Sequence, residues 1–263
     1  MSAFAVSPCA QTGGVYTPTS SNQTCSLPAQ AFTVTFYQVA ICESLPLTPT
    51  GTRTVAQSLA SGSCQTVIEN QAGASVELSK GAAQPINATF TRPANGSYGY
   101  ALVVLDNTFS LSASYQFSQS MQGQTSGTGG HCRTAGNSSN SYLPTVCSSS
   151  AVTPTASSGS ILDYDLSSPS VFDQTSGTVS LSNGTATLHL MKTGGAPASS
   201  FSEAAKVAAV VSLSSPVSVV DGVTGLDVRF DTDTTGFLYH NPSTSPPKYQ
   251  YMIGNFSADI ALF

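Results

Sequence analysis

The sequence predicts an all-β protein of one or two antiparallel β-sandwich modules, jelly-roll or immunoglobulin-like, with a Ser/Gly-rich loop lobe pinned by cysteines. Three observations lead there. Apolar and polar residues alternate over many short runs, the period of two expected of half-buried strands. Gly, Pro, Asn and Ser separate these runs at intervals that suit a sandwich. Cys9, Cys25, Cys42, Cys64, Cys132 and Cys147 form an even set whose sequence neighbours lie 16, 22 and 15 positions apart, so three local disulfides are the simplest pairing.

Taken in order, Phe32, Val34 and Phe36 point one way and Thr33, Thr35 and Tyr37 the other, which predicts a strand from Phe32. Further strands are predicted over Thr54 to Leu59, Gln65 to Glu69, Ser75 to Leu78, Ile86 to Thr91, Tyr98 to Leu105 and Phe109 to Phe117. The nearly continuous apolar run of Tyr98 to Leu105 marks a central strand covered on both faces, with one of Tyr98 and Tyr100 facing the core. Asn95-Gly96 supplies a turn before it. Residues 119–159 are dominated by Ser, Thr, Gly and Asn, include Gly127-Thr-Gly-Gly130, and read as loop or linker held by Cys132 and Cys147. Strands then resume. Gly177 to Leu181, Ser182-Asn183-Gly184 and Thr185 to Leu190 give the strongest hairpin signal of the chain. Phe201 to Leu213 reads as a strand with a helical turn at its start. Val217 to Val220, Leu226 to Phe230, Phe237 to His240, Tyr249 to Ile253 and Ile260 to Phe263 complete the set.

Charge divides the chain. Residues 1–159 hold four acids and four bases, whereas 160–263 hold nine acids and four bases, so the whole net charge of -5 lies in the second part. The expected organisation is therefore an N-terminal β-sandwich module over 1–118, a loop or linker over 119–159 and an acidic C-terminal β module over 160–263.

Composition narrows the function. Charged residues make up only 8 % of the 263 residues, about a third of the usual share of roughly 25 %, so Ser, Thr, Asn, Gln and Gly must supply solubility. That is unlike an ordinary cytosolic enzyme. A pI near 4.9 offers no basic footprint for a phosphate backbone, which argues against nucleic-acid binding. The longest apolar runs, such as Ala204 to Leu213, fall well short of the roughly 20 residues that span a bilayer, so no membrane span is expected. Disulfides would place the chain outside the cell, each constraining the unfolded state by about 3 kcal/mol. Zinc is the weaker use of these cysteines, since no C-x-x-C occurs and only His131 stands beside a cysteine. The opening Met1-Ser-Ala-Phe-Ala-Val-Ser-Pro8 has no basic residue and little apolar length, so it is not a signal peptide. Export is expected either through a leader upstream of Met1 or by release in a virus particle.

Catalytic patterns are sparse. The chain lacks a nucleophile elbow, H-E-x-x-H, a Walker loop and G-x-G-x-x-G. His189 is expected on the polar side of its strand, facing solvent, and His240 just before a turn at Asn241-Pro242. Asp163-Tyr-Asp165 and Asp231-Thr-Asp233 each place two carboxylates on one side of an extended segment, close enough to hold a hard cation or share a proton. Asp231 and Asp233 open like a calcium loop, but Pro242 stands where the closing Glu belongs, so calcium is the only cofactor the residues suggest and its loop is incomplete. A glycosidase is disfavoured by the absence of Trp. N-x-S/T sequons occur at Asn22, Asn87, Asn95, Asn137, Asn183 and Asn255.

Phe36-Tyr-Gln-Val-Ala-Ile-Cys-Glu43, Phe90-Thr-Arg-Pro-Ala-Asn-Gly-Ser-Tyr98 and Tyr100-Ala-Leu-Val-Val-Leu-Asp-Asn-Thr-Phe109 resemble virion structural proteins of marine tailed phages, particularly those of cyanobacteria, over residues 32–118. The resemblance implies a non-enzymatic, β-rich protein of the particle exterior, decorating the capsid or forming part of an appendage. Its partners would be like subunits in an oligomer or lattice, together with other virion proteins. A filament, surface-layer or adhesin subunit of a prokaryote is the alternative, and a secreted carbohydrate-active enzyme or binding module a third. Low charge suits the first two, because copies pack side by side without accumulating repulsion.

Overall fold

The computed structural model describes residues 8–18, 23–48, 51–78, 84–136, 143–160, 176–181, 184–222, 224–231, 236–241, 243–253 and 257–262. The chain opens with the small hairpin β1 (Gln11–Thr12) and β2 (Val15–Tyr16), then β3 (Gln23–Ser26) and the long β4 (Ala31–Cys42). A short helix α1 (Val55–Ala60) precedes β5 (Cys64–Leu78), β6 (Thr89–Phe90), β7 (Gly96–Asp106), β8 (Thr108–Ser112) and β9 (Ser114–Gly123). β10 (Thr128–Thr134), β11 (Thr145–Ser148) and β12 (Ser157–Ser160) follow, then β13 (Ser176–Leu181) and β14 (Gly184–Met191). A single 3-10 turn at Phe201–Glu203 leads into β15 (Lys206–Val219), and β16 (Leu226–Asp231), β17 (Gly236–Asn241), β18 (Lys248–Ile253) and β19 (Ser257–Leu262) complete the described strands.

These strands form two sheets and a ribbon. The first sheet runs β12-β8-β4-β7-β15-β14-β13, with β5 along the other edge of β4 and β6 beyond β5. The second runs β1-β2-β9-β18-β17-β3, with β10 and β11 continuing from β9. Pairing is antiparallel except where β9 meets β2 and β18 in parallel. β16 and β19 pair as the ribbon. The predicted all-β sandwich is therefore what the chain forms. Phe32, Val34 and Phe36 of β4 and Ala101, Val103 and Leu105 of β7 belong to one buried cluster with Tyr115, Phe117 and Met121 of β9 and Tyr249 and Tyr251 of β18. Burying one such Val or Leu side chain contributes about 1.5–3 kcal/mol, so this shared layer holds the two sheets face to face.

β7 is covered on both faces, as its continuous apolar run requires. Leu102 and Val104 turn away from the inter-sheet core and pack with Ala40, Ala208 and Val210 under Leu47 and Val55, on the stretch that carries α1. Tyr98 is the tyrosine that faces inward, packing with Ile41, Val67 and Val219 and donating its hydroxyl to the Ala94 carbonyl at 2.9 Å. Tyr100 is half-buried on the α1 side.

Four expectations need correction. First, residues 160–263 do not stand apart as a C-terminal module: β15 pairs with β7 in the first sheet, while β17 pairs with β3 and β18 with β9 in the second. The acidic bias of the second part does not set its strands apart, because pairing joins them to strands of the first part. Second, 119–159 is not loop throughout but carries several strands. β9 extends to Gly123, β10 and β11 form a hairpin, and β12 pairs with β8. Two of its glycines are there for close approach. A Cβ on Gly127 would stand 2.2 Å from the Cys147 carbonyl oxygen, and one on Gly129 2.0 Å from the carbonyl of Ser148. Third, Thr54 to Leu59 is helical rather than extended. Thr54 and Gln57 form a capping box, the Thr54 hydroxyl accepting from Gln57 N–H at 3.1 Å and the Gln57 side chain from Thr54 N–H at 2.9 Å. The buried pair Val55 and Ser58 has helical spacing. Fourth, Phe109 to Phe117 is two strands: Ala113, fully buried, is where the chain passes from the first sheet to the second.

The hairpin of β13 and β14 forms with Leu181 opposite Gly184, as the Ser182-Asn183-Gly184 signal predicts. The predicted helical turn and strand over Phe201 to Leu213 are also present. Gly127 combines its close contact with a φ of +78°. Gly127→Ala is expected to cost more than Gly136→Ala, whose φ is +88° but whose Cβ would meet nothing within 4 Å. Left-handed backbone alone costs about 1–3 kcal/mol at a non-glycine residue. Urea denaturation of both variants separates the contact from the backbone term, and equal losses would show that the contact is harmless.

Candidate functional site

Chemistry is sparse where the sequence looked for it. Asp231 ends β16 opposite Ser257, while Asp233 lies outside the described residues, as do Asp163 and Asp165. Among the described residues no group of three or more His, Cys, Asp or Glu is placed to hold a metal ion. Of the sequons, Asn87 is exposed and Asn95 is engaged as described below, while Asn22, Asn137, Asn183 and Asn255 lie outside the described residues. His131 is half-buried in β10 opposite Gln116 and Ser148, and His240 sits in β17 opposite Tyr249 and Gln23.

All six cysteines are paired as predicted: Cys9–Cys25, Cys42–Cys64 and Cys132–Cys147. Each half-cystine is buried. Cys42 and Cys64 are directly opposite on β4 and β5, and Cys132 and Cys147 on β10 and β11. Three such bonds indicate an oxidising or extracellular environment. No helix among the described residues is long and apolar enough to cross a membrane.

His189 is the clearest correction among the predicted positions. It is buried between β13 and β15, not facing solvent, and its Nε2 finds no hydrogen-bond partner among the described residues. Burial lowers its pKa from the usual 6.5, because the charged imidazolium loses hydration there. The unfolded chain therefore binds the proton more readily. The stabilising effect of the neutral ring is present above pH 6.5 and is lost as pH falls through the depressed native value. Wild type is expected to lose stability between pH 7.5 and pH 5 more steeply than His189→Gln, as read by urea titrations at several pH values; parallel profiles would exclude His189 as the cause.

Two polar clusters occupy the surface of the first sheet. At one, the Tyr37 hydroxyl donates to Asp106 at 2.9 Å and the Lys206 ammonium lies 3.7 Å from the centre of the Tyr37 ring, a cation–π contact. Burial first, then the Asp106 carboxylate, raise the Tyr37 pKa. Nearby in sequence, Glu203 accepts from the Ser199 hydroxyl at 2.7 Å and amide at 3.0 Å and pairs with Lys192 at 3.1 Å. The Ser199 hydroxyl and amide, with Lys192, hold Glu203 down at about 2. These hydrogen bonds and ion pairs tie neighbouring groups of the chain to one another, which fits a structural role.

The more distinctive arrangement is the corner where β6, the start of β7 and the end of β15 meet. The 91–95 loop closes it, Thr91 N–H donating to the Val67 carbonyl and Ala94 N–H to the Gln65 side chain. Arg92 donates to Asn95 Oδ1 at 2.6 Å and to the Val220 carbonyl at 2.9 Å. Asn95 Nδ2 donates to Asp221 at 2.8 Å, and the Arg92 guanidinium stands 3.8 Å from that same carboxylate. Beside this polar bridge are two exposed apolar side chains, Phe90 at 40 % and Val220 at 59 %. Among the described residues only Leu45 and Val152 are comparable. The sequence marked Asn95-Gly96 as a turn but gave no sign that residue 221 would meet residue 95, since β15 and β7 pair across more than a hundred positions. The corner has the makings of a contact surface: an apolar pair beside charges of both signs.

In comparisons with protein-family models, with curated proteins and with solved structures, nothing matches the chain.

Proposed function

We propose that the chain is a non-enzymatic structural protein of a virus particle exterior, a capsid decoration or part of an appendage, working through self-assembly. The observation that carries this reading is the composition of the sheet edges. Among the described residues, the outermost strands β1, β6, β12 and β13 contain no Asp, Glu, Lys, Arg or Pro, whereas β3 and β11 are bordered by Cys9 and Ser126 and β5, paired outwardly only at Ile68 and Glu69, carries Glu77. Soluble proteins usually guard such edges with charge, proline or bulges, because unpaired N–H and C=O groups template pairing with another chain. Edges without these guards suit a protein whose copies meet edge to edge, and 8 % charged residues keep repulsion between copies small. The resemblance of residues 32–118 to phage virion proteins supports the same reading.

A second reading, an extracellular filament, surface-layer or adhesin subunit of a prokaryote, is favoured by the three buried disulfides. Both readings rest on assembly. Light scattering behind size-exclusion chromatography, with and without reductant, is expected to show a defined oligomer or polymer of the oxidised protein. A monomer at every accessible concentration in both conditions would overturn them.

A further inference from the structure

We propose that the corner formed by Phe90, Arg92, Val220 and Asp221 is a two-fold contact between copies of this chain, with Arg92 of each copy meeting Asp221 of the other; this deepens, and rests on, the assembly reading above. Three features of the corner select a second copy as the occupant. It carries one cation and one anion side by side, 3.8 Å apart, so a two-fold rotation sets each opposite its complement and creates two ion pairs at once. The Asp221 side chain is 96 % exposed, so its carboxylate reaches outward while Arg92, at 38 %, is held by the carbonyls of Pro93 and Val220 and by Asn95. A fixed cation with an outward anion is a self-complementary pattern, whereas an acidic or basic partner would leave one of the two unmatched.

The apolar component has the same logic. Phe90 lies two residues before Arg92, and Val220 immediately precedes Asp221, so each exposed apolar residue lies close along the chain to one of the charged residues. Aromatic and arginine side chains are the residues that dominate binding energy at the centre of interfaces. Specific interfaces bury about 1,200–2,000 Å² in total, more than these four side chains supply, so the neighbouring edge of β6 with the exposed Ala94 and Asn95 must form the rim. β6 is suited to that, being an outermost strand of two uncharged residues. Asn95, although part of a sequon, has its amide nitrogen committed to Asp221 and is expected to remain unmodified in the assembly.

The test is a charge exchange read by analytical ultracentrifugation of the oxidised, full-length protein. Val220→Asp is expected to weaken association by about tenfold or more, the scale of loss at an interface centre. Arg92→Asp and Asp221→Arg are each expected to do the same, because each puts like charges face to face. Mixed in equal amounts, these two variants should recover association as mixed pairs: one copy then carries Arg at both positions and the other Asp at both. Circular dichroism of each variant checks that the fold is intact. Recovery in the mixture is a result that a merely destabilised fold would not give. If wild type assembles while Val220→Asp assembles equally well, or the mixture recovers nothing, this contact is wrong and the assembly reading stands. If wild type is monomeric throughout, both fall.

Discussion

Reducing the three disulfides is expected to remove most of the stability of the fold. The loops they close, with separations of 16, 22 and 15 residues, neither overlap nor nest, so their effects on the unfolded chain are nearly independent. At about 3 kcal/mol each, together about 9 kcal/mol, they rival the total of 5–15 kcal/mol by which domains are stable. Their positions in the sandwich sharpen the expectation. Cys9, Cys25, Cys132 and Cys147 lie in the inter-sheet core, whereas Cys42 and Cys64 lie on the opposite face with Leu47 and Val55. Replacing the Cys42–Cys64 pair by Ala should therefore loosen the α1 side first, and replacing Cys132–Cys147 should loosen the contact between sheets. Urea unfolding followed by tyrosine near-ultraviolet circular dichroism, with and without reductant, measures the total. A reduced protein with nearly the same midpoint would show that strand pairing, not covalent closure, limits unfolding.

Local pattern made much of the fold legible. The alternation of β4, the double-sided apolar run of β7, the hairpin of β13 and β14 and the cysteine pairing all depend on residues close in sequence or on simple counting. Long-range partnership was not legible. Nothing in Lys206–Val219 names Gly96–Asp106 as its neighbour, and the charge asymmetry pointed towards separate modules when the strands in fact interleave. The low-complexity stretch misled for a related reason. Glycines that read as a flexible loop are, at Gly127 and Gly129, positions where another strand's carbonyl leaves no room for a side chain. His189 was placed on the polar side by the alternation of Thr185, Thr187 and His189, but that face is buried at His189 and again at Met191 two residues on.

The candidate site was less visible than the fold. Arg92 and Asn95 stand in the first half of the chain, but their partners Val220 and Asp221 come from the second. A sequence can mark a turn such as Asn95-Gly96; it cannot mark which distant turn will be its neighbour. What the sequence does carry is the low overall charge, because depletion is a property of the whole composition and survives any arrangement of strands.

Among single substitutions, the largest effects are expected in the tyrosine cluster between the sheets, and its members should differ in sign. Tyr251 is fully buried, donates its hydroxyl to the Leu27 carbonyl at 2.9 Å and lies 3.3 Å, oxygen to oxygen, from the Tyr115 hydroxyl, which itself bonds the Pro28 carbonyl. These bonds fasten the 27–28 segment, which joins β3 of one sheet to β4 of the other. Tyr251→Ala should cost about 3–5 kcal/mol through the cavity alone. Tyr251→Phe keeps the ring and leaves the Leu27 carbonyl without this donor, at about 1–3 kcal/mol. Tyr249 is equally buried, but its hydroxyl has no partner among the described residues. Tyr249→Phe removes a polar atom that gains nothing inside, so it should leave stability unchanged or raise it. Burial also raises the pKa of Tyr115, Tyr249 and Tyr251 above 10, so their contribution is complete below pH 10 and is lost as pH climbs through the native values. Denaturation of the three variants at neutral pH, and of wild type from pH 8 to pH 12, tests both parts. If Tyr249→Phe destabilised as much as Tyr251→Phe, hydrogen bonding would not distinguish these two rings, and the cluster would act through packing alone.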